Sequence, residues 1–411
     1  MVDVVIESRL GDKIARMVAD MLPAMHYAVV MDANTAQALG DKVIASLGDS
    51  ATAIVLDGTP KADIKTVEMI RAASQHADAL TAVGSGTIND LCKYASFLDG
   101  KPYGIFPTAP SMNGYSSANA SVSVDGHKTT LPAHAPKAVW VDINTLCNAP
   151  LRLIQSGLGD SLCRPTAQCD WLLSHFLLDT PYSTEPFEML APYETELFSN
   201  ADKLIARDPA TIELLINTLL ASGDGMRMSG GSHPASQAEH MITHTIEMMS
   251  KAPSPHYHGE EIAVTTLTAA RLQHDWIAQE DPPIYTLKPY PHDMMSQHFS
   301  EQQCRAFETE YHAKRHAIEI SNIQQRLNDN WDSIRTQLQA VMLPLATLKN
   351  TLAYAEMHRT SEALGWGDVY STALTAAPFT RNRFTIMDVT WDYIQATQNT
   401  FYSGIKRRIT L

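Results

Sequence analysis

The stretch Ala82-Val83-Gly84-Ser85-Gly86-Thr87-Ile88-Asn89-Asp90-Leu91-Cys92-Lys93 runs from an apolar strand through two closely spaced glycines into a helix. A junction of this kind offers free backbone N–H groups and the positive end of a helix to a pyrophosphate. The strict dinucleotide fingerprint is not met, because Gly84 and Gly86 are followed by Asn89 where a third small residue is usual. Taken alone, the loop reads slightly better as a plain helix cap, with Thr87 capping and Asp90 as the acid of a capping box. Asp32, at the end of an earlier apolar run, shifts the balance toward a nucleotide, although a ribose-binding acid ordinarily follows the glycine loop rather than preceding it.

Outward from this loop, short apolar runs alternate with helical spacing. Strands are predicted at Tyr27–Met31, Ala53–Leu56, Ala82–Gly84, Tyr103–Phe106 and Val139–Val141, and helices over Thr35–Leu47 and Ile64–Gln75. The alternation implies a mostly parallel sheet covered by helices. Ser121–Val124 and His127–Thr130 flank Asp125-Gly126, the pattern of a hairpin lying over one end of that sheet. After Pro150 helical periodicity takes over, in Thr211–Ser222, His240–Ser250, Gly259–Gln279 and Ile323–Leu352, with proline breaks between. The expectation is an α/β dinucleotide-binding domain over residues 1–150 and an all-α metal- and substrate-binding domain over 151–411.

Asp160 in Gly157-Leu158-Gly159-Asp160, His240 in Glu239-His240-Met241-Ile242-Thr243-His244, and His258 in His256-Tyr257-His258-Gly259 stand far apart in sequence. Singly, each reads as a helix cap or a satisfied histidine. Jointly, one carboxylate and two imidazoles suit zinc or nickel, and three protein ligands leave a coordination position for substrate. His244, one turn after His240, is either a proton relay to solvent or a support for the ligands. Cys163 and Cys169, near Asp160, are candidates for metal ligation but read better as buried packing residues, with Pro165 putting an unbroken helix through them in question.

A formal charge of -14 argues against affinity for nucleic acid or an anionic membrane. The hydrophobic share of 45% suits a folded chain, and the five cysteines follow no CxxC pattern, as in reduced cytosolic proteins. The first residues lack a basic start before a long apolar stretch, and no run approaches a membrane span. A cytoplasmic enzyme acting on a small molecule is the expectation, and a homo-oligomer is compatible with it.

The chain resembles the bacterial type of glycerol-1-phosphate dehydrogenase, within the iron-containing alcohol dehydrogenase and dehydroquinate synthase-like superfamily. The residues carrying the resemblance are Gly84–Asp90, Pro107–Gly114, Gly157–Asp160, Asp170-Trp171, Gly231-Ser232-His233-Pro234-Ala235-Ser236, Glu239-His240 and His258-Gly259. It implies zinc or nickel on Asp160, His240 and His258, and the pyrophosphate of NAD or NADP on Gly84, Ser85, Gly86 and Thr87. Asp90, Thr108, Ser111 and Ser117 would surround the cofactor. Asn113 falls where many relatives carry a substrate-binding Asp, and His233 where they carry an Arg. The implied reaction is hydride transfer between NAD(P) and the dihydroxyacetone phosphate/glycerol 1-phosphate pair. The alternatives are a glycerol or polyol dehydrogenase, a dehydroquinate synthase-like lyase and a non-catalytic binding protein. Asp32 mildly favours NAD, since it would repel a 2′-phosphate.

Overall fold

The computed structural model describes residues 2–124, 127–250 and 252–402. Six strands, β1 (Asp3–Glu7), β2 (Tyr27–Asp32), β3 (Ala51–Leu56), β4 (Ala79–Gly84), β5 (Tyr103–Pro107) and β8 (Ala138–Asp142), form one sheet in the order β1-β8-β5-β4-β2-β3. Every pairing in it is parallel, which requires a crossover between successive strands. β4, β5 and β8 are buried along their whole length, as strands covered on both faces should be.

The sequence reading did not include β1. Its Val-Val-Ile run sits at the sheet edge beside β8 and is only half-buried, so it lacks the flanking signals of an internal strand. β6 (Asn119–Val124) and β7 (His127–Pro132) pair antiparallel as the hairpin reading expects, while its Asp125-Gly126 turn lies outside the described residues. The hairpin is tied to the loop after β3 by the Ser123 N–H, which donates to the Ala62 carbonyl at 2.7 Å.

The chain divides into two compact units: residues 1–161 with 188–230, and 162–187 with 231–411. The chain therefore passes from one unit to the other three times, whereas the sequence expectation has one crossing near residue 150. The first unit packs around Leu10, Val18, Val29, Met31, Phe106 and Trp140. Phe106 and Trp140 stack at 4.7 Å, and a Cβ on Gly104 would lie 2.4 Å from the Trp140 ring, so only glycine fits there.

Helices are the only regular elements among the described residues of the second unit. Ile323, Leu327, Trp331, Ile334 and Leu338 form the buried stripe of one helix, with Trp331 edge-on to Trp276 at 4.8 Å. The single helix expected over Ile323–Leu352 is two, Ile323–Val341 and Leu345–Tyr354. Pro344 explains the break, because it has no N–H to give and disfavours helical geometry in the residue before it. A second proline acts similarly upstream: Leu151–Leu162 and Arg164–Leu178 are separate helices that part at Cys163, with Pro165 in the first turn of the second. No helix among the described residues is long and apolar enough to cross a membrane.

Candidate nucleotide and metal sites

In the first unit the glycine loop stands at the carboxyl end of β4. Val30 pairs with Ala82, so two residues further along Asp32 and Gly84 come level on neighbouring strands. The sheet order reverses between β2 and β4, since β3 lies outside β2 and β5 outside β4. The carboxyl ends flanking such a reversal form the crevice where open α/β sheets bind ligands.

The helix starts at Gly86 with Ser85 as its N-cap, and no side chain caps it. The expected alternative, a Thr87–Asp90 capping box, is therefore not formed: both residues lie inside the helix, and the Asp90 carboxylate instead accepts the Ser121 N–H at 3.1 Å. The first N–H groups of the helix remain uncapped by side chains, as an anion-binding terminus requires. A Cβ on Gly84 would fall 2.5 Å from that of Ile88, and one on Gly86 2.9 Å from Met112 Sδ, so both glycines answer to close packing. Asp32 caps its own short helix, accepting the Thr35 N–H at 2.9 Å.

Lys93, fully buried, fastens this helix to the loop after β5. Its ammonium donates to the Gly114 carbonyl at 2.7 Å, the Asn119 carbonyl at 2.9 Å and Ser117 Oγ at 3.2 Å, with Asp90 at 3.8 Å. Burial pushes it down to about 8, against the pull of Asp90. The loop's hydroxyls largely serve its own frame: Ser111 meets Tyr115 Oη at 3.2 Å, and Ser117 donates to Gly114 and Asn119. The Thr108 N–H donates to the Gly84 carbonyl, locking the two loops together.

Asp160 belongs to the same unit. A Cβ on Gly157 would lie 1.8 Å from the Pro110 carbonyl oxygen, so glycine lets this helix touch the loop. Three residues later, buried Asp160 accepts the Asn113 N–H at 2.8 Å. Asn113 thus holds Asp160 through its backbone, a role the residue type does not reveal.

In the second unit, His240, His244 and His258 bring their rings together, at centroid separations of 5.3 Å (240 to 258), 5.8 Å (240 to 244) and 5.5 Å (244 to 258). His240 Nδ1 lies 3.0 Å from Glu239 Oε1. A carboxylate there requires the proton on Nδ1 and leaves the Nε2 lone pair for a metal, the carboxylate–histidine arrangement common around bound ions. Buried Glu239 also accepts the Gln237 N–H at 2.7 Å and the Thr166 hydroxyl at 3.2 Å. Sequence reading assigned Glu239 no role, although its place directly before a candidate ligand was a usable signal. His258 opens the helix His258–Ile277, and its Nδ1 lies 3.8 Å from Glu247.

Arg381 donates to His244 Nδ1 at 2.9 Å, which sets the His244 proton on Nε2. Neither Arg381 nor Arg383 featured in the sequence reading. Arg383 donates to Ser232 Oγ at 3.3 Å and to the Ser236 carbonyl. His233 stacks on Trp171 at 5.7 Å, and burial, then the Arg383 charge, push its imidazole down to about 4. Cys163 donates to the Ala235 carbonyl at 3.4 Å, and its sulfur stands within 4.8 Å of donor atoms of Glu239 and His240. Cys169 is a core residue, its thiol pushed up by burial.

Residues 5–150 match the iron-containing alcohol dehydrogenase family. A glycerol-1-phosphate dehydrogenase [NAD(P)+] of Halalkalibacterium halodurans is 35% identical over 60% of this chain and 65% of its own length. One of Bacillus subtilis is 31% identical over 58% of this chain and 63% of its own length. The chain thus spans slightly under two thirds of these relatives. Among solved structures, a probable glycerol dehydrogenase from Sinorhizobium meliloti superposes with a TM-score of 0.62 at 18% identity, covering 98% of both chains. Maleylacetate reductase from a Rhizobium strain gives 0.63 at 15% identity, covering 97% of this chain and 95% of its own. At such identities these two report the fold. Family match, sequence relatives and fold agree in likening this chain to the iron-containing alcohol dehydrogenases.

Proposed function

We propose that this protein is a metal-dependent NAD(P)-linked dehydrogenase that interconverts dihydroxyacetone phosphate and glycerol 1-phosphate. The observation that carries the reading is the His240–His258 pair, with His240 oriented through Nδ1 by the Glu239 carboxylate. Asp160, His240 and His258 would hold the ion, and one carboxylate with two imidazoles fits zinc or nickel. Bound there, a divalent ion supplies Lewis-acid polarisation of the substrate carbonyl. The dinucleotide pyrophosphate would rest on the uncapped helix start at Gly84–Thr87, with Asp32 toward the ribose and Asp90, Thr108, Ser111 and Ser117 framing the pocket. Asn113 and His233 would face the substrate. His244, with its proton on Nε2, would donate a hydrogen bond to the substrate oxygen while Arg381 holds the ring in place. The sequence relatives carry this activity in their names. The five cysteines form no disulfide, which supports a reducing compartment such as the cytoplasm.

The test is to load purified protein with zinc or nickel and follow NADH and NADPH oxidation with dihydroxyacetone phosphate, using dihydroxyacetone for comparison. Preference for the phosphate is expected. Asp160→Ala and His258→Ala should each abolish metal binding and turnover, and full activity in either would sink the ligand assignment. His233, where the resemblance implies an arginine, favours a second reading in which the substrate is an uncharged polyol. Preference for dihydroxyacetone would establish that instead.

A further inference from the structure

His233 brings no lasting positive charge to its segment, since burial and the charge of Arg383 push its imidazole down to about 4. A guanidinium nevertheless reaches the same segment. Arg383, from the turn between the Ala377–Phe379 helical turn and the helix starting at Ile386, bonds to both Ser232 and Ser236 and acts electrostatically on His233. Arg381, two residues earlier, reaches His244.

Burial, then the charge of Arg381, push the Arg383 guanidinium down to about 10, and burial lowers Arg381 as well. Neither has a carboxylate within 4.0 Å among the described residues. The acids that act on them from a distance are engaged elsewhere: Glu239 with His240, Thr166 and Gln237, Glu310 with the Asn382 N–H at 3.0 Å, and Glu247 beside His258. Partly buried like charges without a close counterion are costly, and a dianion between them would relieve that cost. Guanidinium groups also match the oxygen geometry of a phosphoryl group.

We infer that Arg383, assisted by Arg381, is the phosphate-recognition element of this protein, brought beside the Ser232–Ser236 segment from a part of the chain distant in sequence. The ligand is the dianionic phosphoryl group of a small phosphate monoester. This deepens the dehydrogenase reading and, for its kinetic arm, rests on it.

The experiment compares wild type, Arg383→Ala, Arg383→Lys and Arg381→Ala, each metal-loaded. In wild type, kcat/KM should favour dihydroxyacetone phosphate over dihydroxyacetone. In Arg383→Ala that ratio should fall about 100-fold, chiefly through KM for the phosphate, and Arg383→Lys should restore part of it. An unchanged NADPH/NADH ratio would assign the phosphate to substrate, whereas a selective loss of NADPH use would assign it to the cofactor and overturn the inference. Equal losses with both ketones would mean that Arg383 only supports the fold, and would also overturn it. If wild type reduces neither ketone, the dehydrogenase reading fails by itself. Calorimetric titration with inorganic phosphate at constant ionic strength then decides the anion site. Binding by wild type that weakens at least tenfold in Arg383→Ala supports it, and no binding or unchanged binding refutes it.

Discussion

The Glu239 carboxylate accepts from His240 Nδ1 at 3.0 Å while also holding the Gln237 N–H and the Thr166 hydroxyl. With three donors converging on a buried acid, the imidazole has one tautomer and one orientation. Replacing such a carboxylate by its amide removes the charge that raises ligand basicity. Glu239→Gln should weaken zinc affinity roughly 10–100-fold, measured by competition with a chromogenic chelator. Unaltered affinity would show that His240 needs no anchor.

Lys93 predicts a coupling between stability and cofactor binding. Removing its ammonium leaves the Gly114 and Asn119 carbonyls without their buried donor and frees the loop facing the glycine turn. Lys93→Met should lower unfolding free energy by about 3 kcal/mol and weaken dinucleotide binding in parallel. Denaturant unfolding and fluorescence titration with NADH check the two effects. A destabilised variant with normal NADH affinity would restrict Lys93 to the fold.

Gly157→Ala is a steric test. The added methyl would overlap the Pro110 carbonyl oxygen, a backbone atom that moves only if the loop moves. The expected cost is about 1–3 kcal/mol, with loss of the Asn113–Asp160 bond and hence weaker metal binding. A melting temperature equal to wild type would contradict the close approach.

Asp170 sets a pH dependence. Burial, reinforced by the charge of Glu239, pushes it up to about 8, although Gln273, Ile386 and Ala238 all donate to it. Between its ordinary value near 4 and about 8, the folded protein holds a proton that the unfolded chain releases. Its contribution is therefore complete at acid pH and is lost as pH rises through that window. In chelator-treated protein, wild type should lose more stability from pH 5 to pH 8 than Asp170→Asn. Parallel curves would remove Asp170 as the cause.

The sequence by itself determined the alternating architecture, because the burial of a parallel strand and the spacing of a helix are each written in consecutive residues. Five of the six sheet strands, the hairpin strands and the helices bearing His240 and His258 were legible in that way. The half-buried edge strand Asp3–Glu7 was not, because edge pairing leaves little hydrophobic pattern. Pro344 could have been read as a break, but the apolar spacing on either side of it concealed the interruption. The candidate ligands were legible as residue types within local phrases. Their supports were not: Glu239 as the anchor of His240, Lys93 as a clamp between helix and loop, the Asn113 backbone on Asp160, and Arg383 beside Ser232. Each joins groups through a three-dimensional approach, from neighbouring residues up to partners 151 positions apart. Charge and hydrogen-bond demand inside a low-dielectric interior are met by whichever group packing brings near, and only the tertiary structure decides which group that is.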